Sequence, residues 1–233
     1  MPKVIFLLKT MENKYLSDTM GKGRFCFCHP HVFSSWENSE AAQYDRWEGH
    51  SAFEARHIVV APIVSEEPGR LVYGEGKVLA EKGIVRLQTD VAKNTPICCF
   101  RTVDETELTY SAGKRTYSLG NIVDRIKEEF HHDTYIMIRF EPFIERIQKV
   151  KSFCLAGNVI YRDLLNDYQN EVENVDQETI EQLFRKDEKY TWQKEFRIIL
   201  RPDKDEKKIV DVGSLVDIAI CGHIDELKQG IQI

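Results

Sequence analysis

The sequence lacks any long apolar run. Its 233 residues hold no stretch close to the roughly 20 apolar residues that a membrane-spanning helix needs. The apolar opening at residues 4–8 is also shorter than the core of a secretion signal, and no small-residue cleavage site follows it. We therefore expect a cytoplasmic protein with no membrane partner.

Standard cysteine motifs are also missing. None of the six cysteines forms a C-x-x-C pair, the spacing of many zinc and redox sites. A cytoplasmic protein keeps its cysteines reduced, so the sequence predicts free thiols. Cys26, Cys28, His29 and His31 lie close together, but their spacing matches no standard zinc pattern. We therefore predict no metal site.

Glycine-rich phosphate loops are absent, since neither G-x-G-x-x-G nor a Walker sequence occurs. Acidic residues outnumber basic ones, 38 against 32, and the formal net charge is −6. That sign argues against strong binding of duplex nucleic acid. Repeats and Pro-rich or Gly/Ser-rich linkers are also missing, which predicts a single domain over residues 1–233.

Short strands dominate the pattern that remains. Apolar or alternating segments predict strands at residues 4–8, 24–28, 57–64, 71–79, 84–89, 96–103, 135–140, 153–162, 195–200, 209–212 and 216–221. Helical periodicity and caps predict helices at residues 11–20, from 34, at 119–130, at 142–150 and at 176–184. Turn residues predict hairpins around 81–83 and 202–208. Because strands outnumber helices and seldom alternate with them, the predicted fold class is α+β, with a mixed, mainly antiparallel sheet and flanking helices.

The segment at residues 190–200, Y-T-W-Q-K-E-F-R-I-I-L, is the sharpest functional signal. Alternate side chains of a strand share a face, so Glu195 and Arg197 are neighbours, and Gln193 extends the row if the strand begins early. A glutamate so placed can act as a general base or bond a ribose hydroxyl, and the arginine can hold a phosphate or a carboxylate. The alternative is a structural ion pair on a solvent-facing strand.

Two earlier features are candidates for the same site. Residues 44–49, Y-D-R-W-E-G, place Asp45 and Glu48 in a predicted loop, where functional residues concentrate. The alternative for that segment is a helix end with solvated charges. Arg24 opens a predicted strand after a glycine turn, where it either receives an anion or simply lies at the end of a sheet.

The order of these segments resembles a widespread group of bacterial and phage proteins of unknown function. The signature of that group is an early D-x-x-E-G element, here Asp45–Gly49, and a late Y/W-x-x-Q/E-x-E-F/W-R strand, here Tyr190–Arg197. The similarity is completed by G-x-x-R-F at 21–25, I-M-I-R-F-E-P-F-I-E-R-I at 136–147 and G-N-V-I-Y at 157–161. It covers most of residues 21–220.

The resemblance implies a toxin or phage-defence effector that acts with NAD on a macromolecular target. Such proteins occur near mobile elements and defence genes, and their arrangement is similar to ADP-ribosyltransferase-like folds. By that similarity, Arg24 would contact phosphate or ribose, Tyr161 would stack on nicotinamide, and Glu195 would stabilise an oxocarbenium-like centre. The residues expected to bind the cofactor around them are Arg197, Gln193, Tyr190, Asp45 and Glu48.

Two other functions stay open from the residues alone. One is a non-enzymatic domain that binds or senses a nucleotide or another ligand through Asp45, Glu48, Glu195 and Arg197. The other is a metal-dependent nuclease, which requires Asp45, Glu48 and Glu195 to converge around Mg²⁺.

Overall fold

The computed structural model describes residues 2–34, 51–67, 70–87, 90–111, 113–163 and 180–233. In chain order the strands and helices are β1 (Val4–Met11), α1 (Asn13–Lys22), β2 (Arg24–Cys28), α2 (Pro30–Ser34), β3 (Ser51–Val60), β4 (Ile63–Glu67), β5 (Arg70–Tyr73), β6 (Lys77–Leu87), α3 (Asp90–Lys93), β7 (Ile97–Asp104), β8 (Leu108–Ser111), β9 (Lys114–Tyr117), α4 (Ile122–Phe130), β10 (Thr134–Arg139), α5 (Phe140–Ile147), β11 (Phe153–Asn158), β12 (Ile160–Arg162), β13 (Arg185–Asp187), β14 (Glu195–Leu200), β15 (Lys207–Asp211), β16 (Ala219–His223), α6 (Glu226–Gln229) and β17 (Ile231–Gln232). Short 3₁₀ helices occupy Glu105–Glu107, Glu181–Phe184 and Glu188–Gln193.

A sheet of eight strands forms the centre of the fold. Its order is β11-β14-β7-β1-β10-β16, with β15 paired to β2 and β2 paired to β7. The pairings within this sheet are antiparallel, whereas the separate pair β12–β13 is parallel. The predicted α+β class with a mainly antiparallel sheet is therefore confirmed. In the part of the chain that is described, no helix is long and apolar enough to cross a membrane.

Different apolar clusters cover the two faces of this sheet. On one face Phe25, Phe100 and Phe143 meet edge to face, with ring centroids 5.4–5.5 Å apart, and hold α5 against β2 and β7. On the other face Val123 and Ile126 of α4 pack into a second cluster with side chains of β1 and β10. Each strand therefore contributes alternate side chains to two different layers, as its period of two requires.

The neighbouring strands β1 and β7 pair over only part of their length. Their pairing ends at Leu8 and Arg101, while β1 continues beside β10 as far as Met11. At its other end β7 meets β2 instead. We call the point beyond Leu8 and Arg101, where β1 and β7 separate, the fork. The Lys9 ammonium reaches across this fork and donates a hydrogen bond of 2.9 Å to the Cys99 carbonyl. The fork leaves a break in the sheet close to the first residues of β14, which pair with β7.

Two predicted hairpins are wrong. Instead of turning at residues 81–83, β6 runs unbroken through Gly83 and pairs along its length with β3. A long partner strand supplies ladder hydrogen bonds on both sides of Gly83, so a glycine there does not force a turn. The charged loop at 202–208 does not join paired strands either, because β15 pairs with β2 rather than with β14.

Other boundaries differ less. The predicted strand at 153–162 divides near Val159 into β11, which pairs with β14, and β12, which pairs with β13. The end of the predicted helix at 176–184 is the 3₁₀ helix Glu181–Phe184, and its start lies outside the described residues. The helix predicted from Ser34 also falls almost entirely outside them.

Gly23 follows α1 in the left-handed region, with φ of 62°. A Cβ atom there would lie 2.2 Å from the Gly213 carbonyl oxygen. We expect Gly23→Ala to cost about 2 kcal/mol or more of unfolding free energy, because a left-handed alanine alone costs about 1–2 kcal/mol. Urea unfolding measures the change. The matched control is Gly21→Ala, whose Cβ would meet nothing within 4 Å. Because Gly21 lies inside the helix, this substitution should raise the free energy of unfolding by about 0.5–1 kcal/mol. Equal effects of the two substitutions would contradict this explanation of the turn.

Candidate functional site

The fork between β1 and β7 opens into a cleft of about 1220 Å³. The cleft extends from α1 and β2 past the fork to the end of α4 and the start of β14. Its wall combines positive side chains with aromatic rings: Lys9, Arg24, Lys186, Lys207, Phe100, Phe130 and Trp192. Glu195 and Gln193 also line it. The fold therefore brings the early Arg24 and the late Glu195 to the same cavity.

Glu195 is the centre of a buried ion cluster at this cleft. One carboxylate oxygen accepts a bond of 2.6 Å from Arg197 Nε, and the other accepts a bond of 2.9 Å from Lys186 Nζ. Arg197 also donates a hydrogen bond to the Leu183 carbonyl. The exposed fractions of Glu195, Arg197 and Lys186 are only 6%, 0% and 5%. The ion pair of the alternative interpretation is therefore present, but it is buried rather than solvent-facing.

Burial and the two cations act on Glu195 in opposite directions. Burial raises the pKa of its carboxyl, but the charges of Arg197 and Lys186 outweigh this and leave the pKa well below its ordinary value. At neutral pH the group is a carboxylate, and it accepts a proton too weakly to serve as a general base. Two cations and one anion also leave a formal charge of about +1 in the cluster.

Tyr161 lies beside Glu195 but not in the position that the resemblance implies. Its hydroxyl oxygen accepts a bond of 2.8 Å from the Glu195 backbone N–H. Burial raises the pKa of this phenol to about 12. Tyr161 is not among the residues that line the cleft. Its phenol satisfies the first amide of β14, which makes it a support for the strand rather than a surface for stacking.

Arg24 lines the cleft, but two carboxylates already hold it. Its guanidinium donates to Asp211 at 2.9 and 3.0 Å and to Asp18 at 3.0 Å. The hydrogen bond to Asp211 is the largest cause of the raised pKa of Arg24. An incoming phosphate would have to compete with these aspartates. Arg24 is therefore less available to an anion than the sequence suggested.

Only some of the residues just before β14 line the cleft. Gln193 lines the cleft, whereas Tyr190 does not, and the Lys186 ammonium lies 5.0 Å from the Tyr190 ring centroid. Gln193 Nε2 and the neighbouring Trp192 Nε1 are buried donors with no hydrogen-bond partner among the described residues. Within that part of the chain, both donors therefore lack the hydrogen bond that a buried polar group normally makes.

Asp45 and Glu48 lie outside the described residues. Their convergence with Glu195 therefore stays a prediction. Within the described ranges, no three His, Cys, Asp or Glu side chains form a group suited to a metal ion. That geometry adds no support to the nuclease hypothesis.

Nothing in the sequence marks several residues of the cleft. Lys186 stands in the run R-K-D-E-K, where every neighbour is charged and nothing marks the one that becomes buried. Lys9 reaches the cleft only because β1 and β7 separate. Phe130 closes the apolar face of α4, which the periodicity did identify, but periodicity alone cannot show that a ring also borders a cleft.

His132 lines the cleft beside Phe130, whose ring stacks on it with 5.7 Å between the centroids. Thr10 Oγ1 lies 2.8 Å from its Nδ1. Burial, with a smaller contribution from Lys9, lowers its pKa to about 4. The folded imidazole thus stays neutral at pH values where the unfolded one takes up a proton.

This difference predicts a pH dependence of stability. Because the folded pKa of His132 is below the unfolded value of about 6.5, its contribution is complete above about pH 6.5 and is lost as the pH falls towards 4. We expect a loss of about 2 kcal/mol, allowing for partial exposure of the ring. Urea unfolding at several pH values gives the unfolding free energy as a function of pH. Between about pH 4 and 6.5 this free energy should change less steeply with pH in His132→Gln than in the wild type. The exposed His223→Gln is the control, and an unchanged slope in His132→Gln would contradict the assignment.

No family model, curated protein or solved structure matches the chain. The resemblance to bacterial and phage proteins therefore stays a prediction. The chemistry of the cleft is the remaining source of functional information.

Proposed function

We propose that the protein binds a nucleotide in the cleft at the β1–β7 fork. The observation that carries this proposal is the meeting of a positive ion cluster, further lysines and a group of aromatic rings in one cavity. Phosphate groups need cations and hydrogen-bond donors, and bases need flat apolar surfaces. The same wall meets both requirements.

The phosphate end of the ligand fits the cationic part of the wall. Lys186 contacts Glu195 and still lines the cleft, and the exposed Lys207 lines it from β15. Recognition by such side chains needs no glycine-rich loop, which agrees with the missing phosphate-loop motifs.

The base end fits the aromatic part of the wall. Phe130 stacks on His132 and lies 6.4 Å from Trp192, centroid to centroid. The Arg125 guanidinium lies over the Trp192 ring at 4.1 Å and restricts its orientation. A base that stacks on an aromatic side chain gains about 1–3 kcal/mol. The cleft exceeds the roughly 300–1,000 Å³ of common small-molecule sites, so a dinucleotide such as NAD is the expected size.

ADP-ribosyl transfer from NAD to a macromolecule is the second candidate, and one observation favours it. Glu195 lies at the cleft as a permanent carboxylate. Such a group can stabilise an oxocarbenium-like ribose by its charge, without accepting a proton. Lys186 and Arg197 offset part of that charge, which is why we place binding first and catalysis second.

A thermal unfolding screen with NAD, ADP, AMP and nicotinamide tests the proposal. A nucleotide at about 100 times its Kd stabilises the folded state by about 2.7 kcal/mol, which raises the midpoint by roughly 5–10 °C for a chain of this length. We expect at least one nucleotide to do so. The absence of a shift with every nucleotide at millimolar concentration would overturn the proposal. Release of nicotinamide from NAD, followed by chromatography, separates catalysis from binding alone.

A further inference from the structure

Cys26 and Cys28 form a close pair of thiols on the cleft wall. They occupy alternate positions of β2, so both side chains lie on the same face of the strand. Their sulfur atoms are 3.6 Å apart and share a hydrogen bond. Cys26 is exposed and Cys28 is partly buried, whereas Cys98 belongs to the apolar core. The pair is therefore accessible to a molecule that enters the cleft.

Cations flank this pair on two sides. Lys207 on β15 is the register partner of Cys28. Lys9, which bridges the fork, also acts on Cys26. The hydrogen bond from Cys28, together with Lys207 and Lys9, lowers the pKa of the Cys26 thiol to about 6, and the same hydrogen bond raises the pKa of Cys28. Cys26, the more exposed of the two thiols, is therefore the one placed to react as a thiolate.

We propose that Cys26 is a thiol–disulfide exchange site for anionic, low-molecular-weight disulfides of the glutathione class. The Cys26 thiolate attacks one sulfur of the disulfide, whose S–S bond breaks as the new bond to Cys26 forms. The other half leaves as a thiolate and takes a proton from water. The disulfide is the oxidant, so no further reagent is needed. Lys207 and Lys9 would attract the carboxylates of the entering molecule.

The strand geometry makes a mixed disulfide the expected end product. Side chains at alternate positions of an extended strand leave it in parallel, so their Cβ atoms are about 6.6 Å apart, given a rise of about 3.3 Å per residue. A disulfide needs Cβ atoms about 3.5–4.5 Å apart, and β2 is held in register with β15 from Arg24 to Cys28. Cys28 therefore activates its neighbour but does not displace the bound thiol, and the adduct occupies the cleft.

Intact-mass and peptide analysis after treatment with oxidised glutathione tests this site. At pH 6 about half of Cys26 is thiolate, against under about 1% of an ordinary thiol, and its lower nucleophilicity reduces the net advantage to roughly tenfold. We expect Cys26 to be modified about ten times faster than the exposed Cys221 on β16. The rate at which Cys26 is modified should level off above about pH 7, whereas the rate of an ordinary thiol still rises at about pH 8.

Matched variants sharpen the result. Cys28→Ala removes the hydrogen-bond donor, so it should slow the modification of Cys26 at about pH 6 and move the pH profile of that reaction upwards, whereas Cys221→Ala should leave both unchanged. The wild-type pH profile suffices if Cys28→Ala fails to fold. Equal rates for Cys26 and Cys221, a Cys26 rate that still rises at about pH 8, or a Cys26–Cys28 bridge in place of the adduct would each overturn the proposal. None of these results depends on nucleotide binding.

Discussion

Replacing Glu195 by glutamine is expected to lower the free energy of unfolding by about 3–5 kcal/mol, the usual cost of removing one partner from a buried ion pair. The variant leaves the charges of Lys186 and Arg197, both almost fully buried, without this carboxylate. Urea unfolding at neutral pH measures the change. Glu188→Gln is the control, because Glu188 is exposed and its loss should change stability by under about 0.5 kcal/mol.

A second substitution shows whether the effect is electrostatic. Lys186→Met removes one cation of the same cluster, so the double variant Lys186→Met with Glu195→Gln should lose less than the sum of the two single losses. Residues in one ion network couple by about 0.5–3 kcal/mol. Simple additivity would contradict the electrostatic explanation. The pH provides a further check: the lowered pKa of Glu195 makes its contribution full above about pH 4.3 and lost as the pH falls further.

This stability loss also governs how activity data should be interpreted. A loss of NAD turnover in Glu195→Gln would follow either from a missing catalytic charge or from unfolding. Activity should therefore be compared at a temperature where urea titration shows both proteins fully folded. A folded variant that has lost only turnover, with nucleotide affinity retained, would assign Glu195 to the reaction. A folded variant with full NAD turnover would show that Glu195 is not needed for the reaction.

Phe130→Ala is expected to weaken nucleotide binding by about 5- to 150-fold, because it removes a stacking surface that is worth about 1–3 kcal/mol per base. Phe130 lines the cleft and lies against His132 and Trp192 in an aromatic group. Isothermal titration with the nucleotide that gives the largest midpoint rise measures the change. The variant keeps the lysines and the Glu195 cluster, so the phosphate contacts remain.

Tyr110→Ala is the matched control for this experiment. Tyr110 lies on β8, is 67% exposed and does not line the cleft. Its removal also truncates an aromatic ring but should leave the nucleotide Kd unchanged. Unchanged affinity in Phe130→Ala, or an equal loss in both variants, would contradict the placement of the base against the aromatic group.

The sequence predicted local structure where one strong cause acts. A left-handed glycine ends α1, and the run E-F-R-I-I-L forms β14, because chain geometry and strand alternation decide these features with little help from elsewhere. The hairpin expected at 81–83 fails for the opposite reason. A glycine there permits a turn, but β3 supplies a partner strand on both sides of it, and only the tertiary pairing decides between the two.

The site was less predictable than the fold because it depends on which strands separate. Glu195 and Arg197 were identified from their spacing, but their burial follows from the central place of β14 between β11 and β7. Tyr161 was assigned by order along the chain, and order does not show that its hydroxyl is used by a backbone amide. Lys186 was hidden in a charged run, since no local pattern marks a lysine that pairs across the fold.

The most direct test is a crystal structure of the protein with the nucleotide that gives the largest midpoint rise. We predict that the base lies in van der Waals contact with Phe130, and that a phosphate oxygen lies about 3 Å from a lysine ammonium of the cleft. Glu195 should keep its bonds to Lys186 and Arg197. A nucleotide bound on another surface, or an empty cleft at saturating concentration, would contradict the claim that this fork is the binding site.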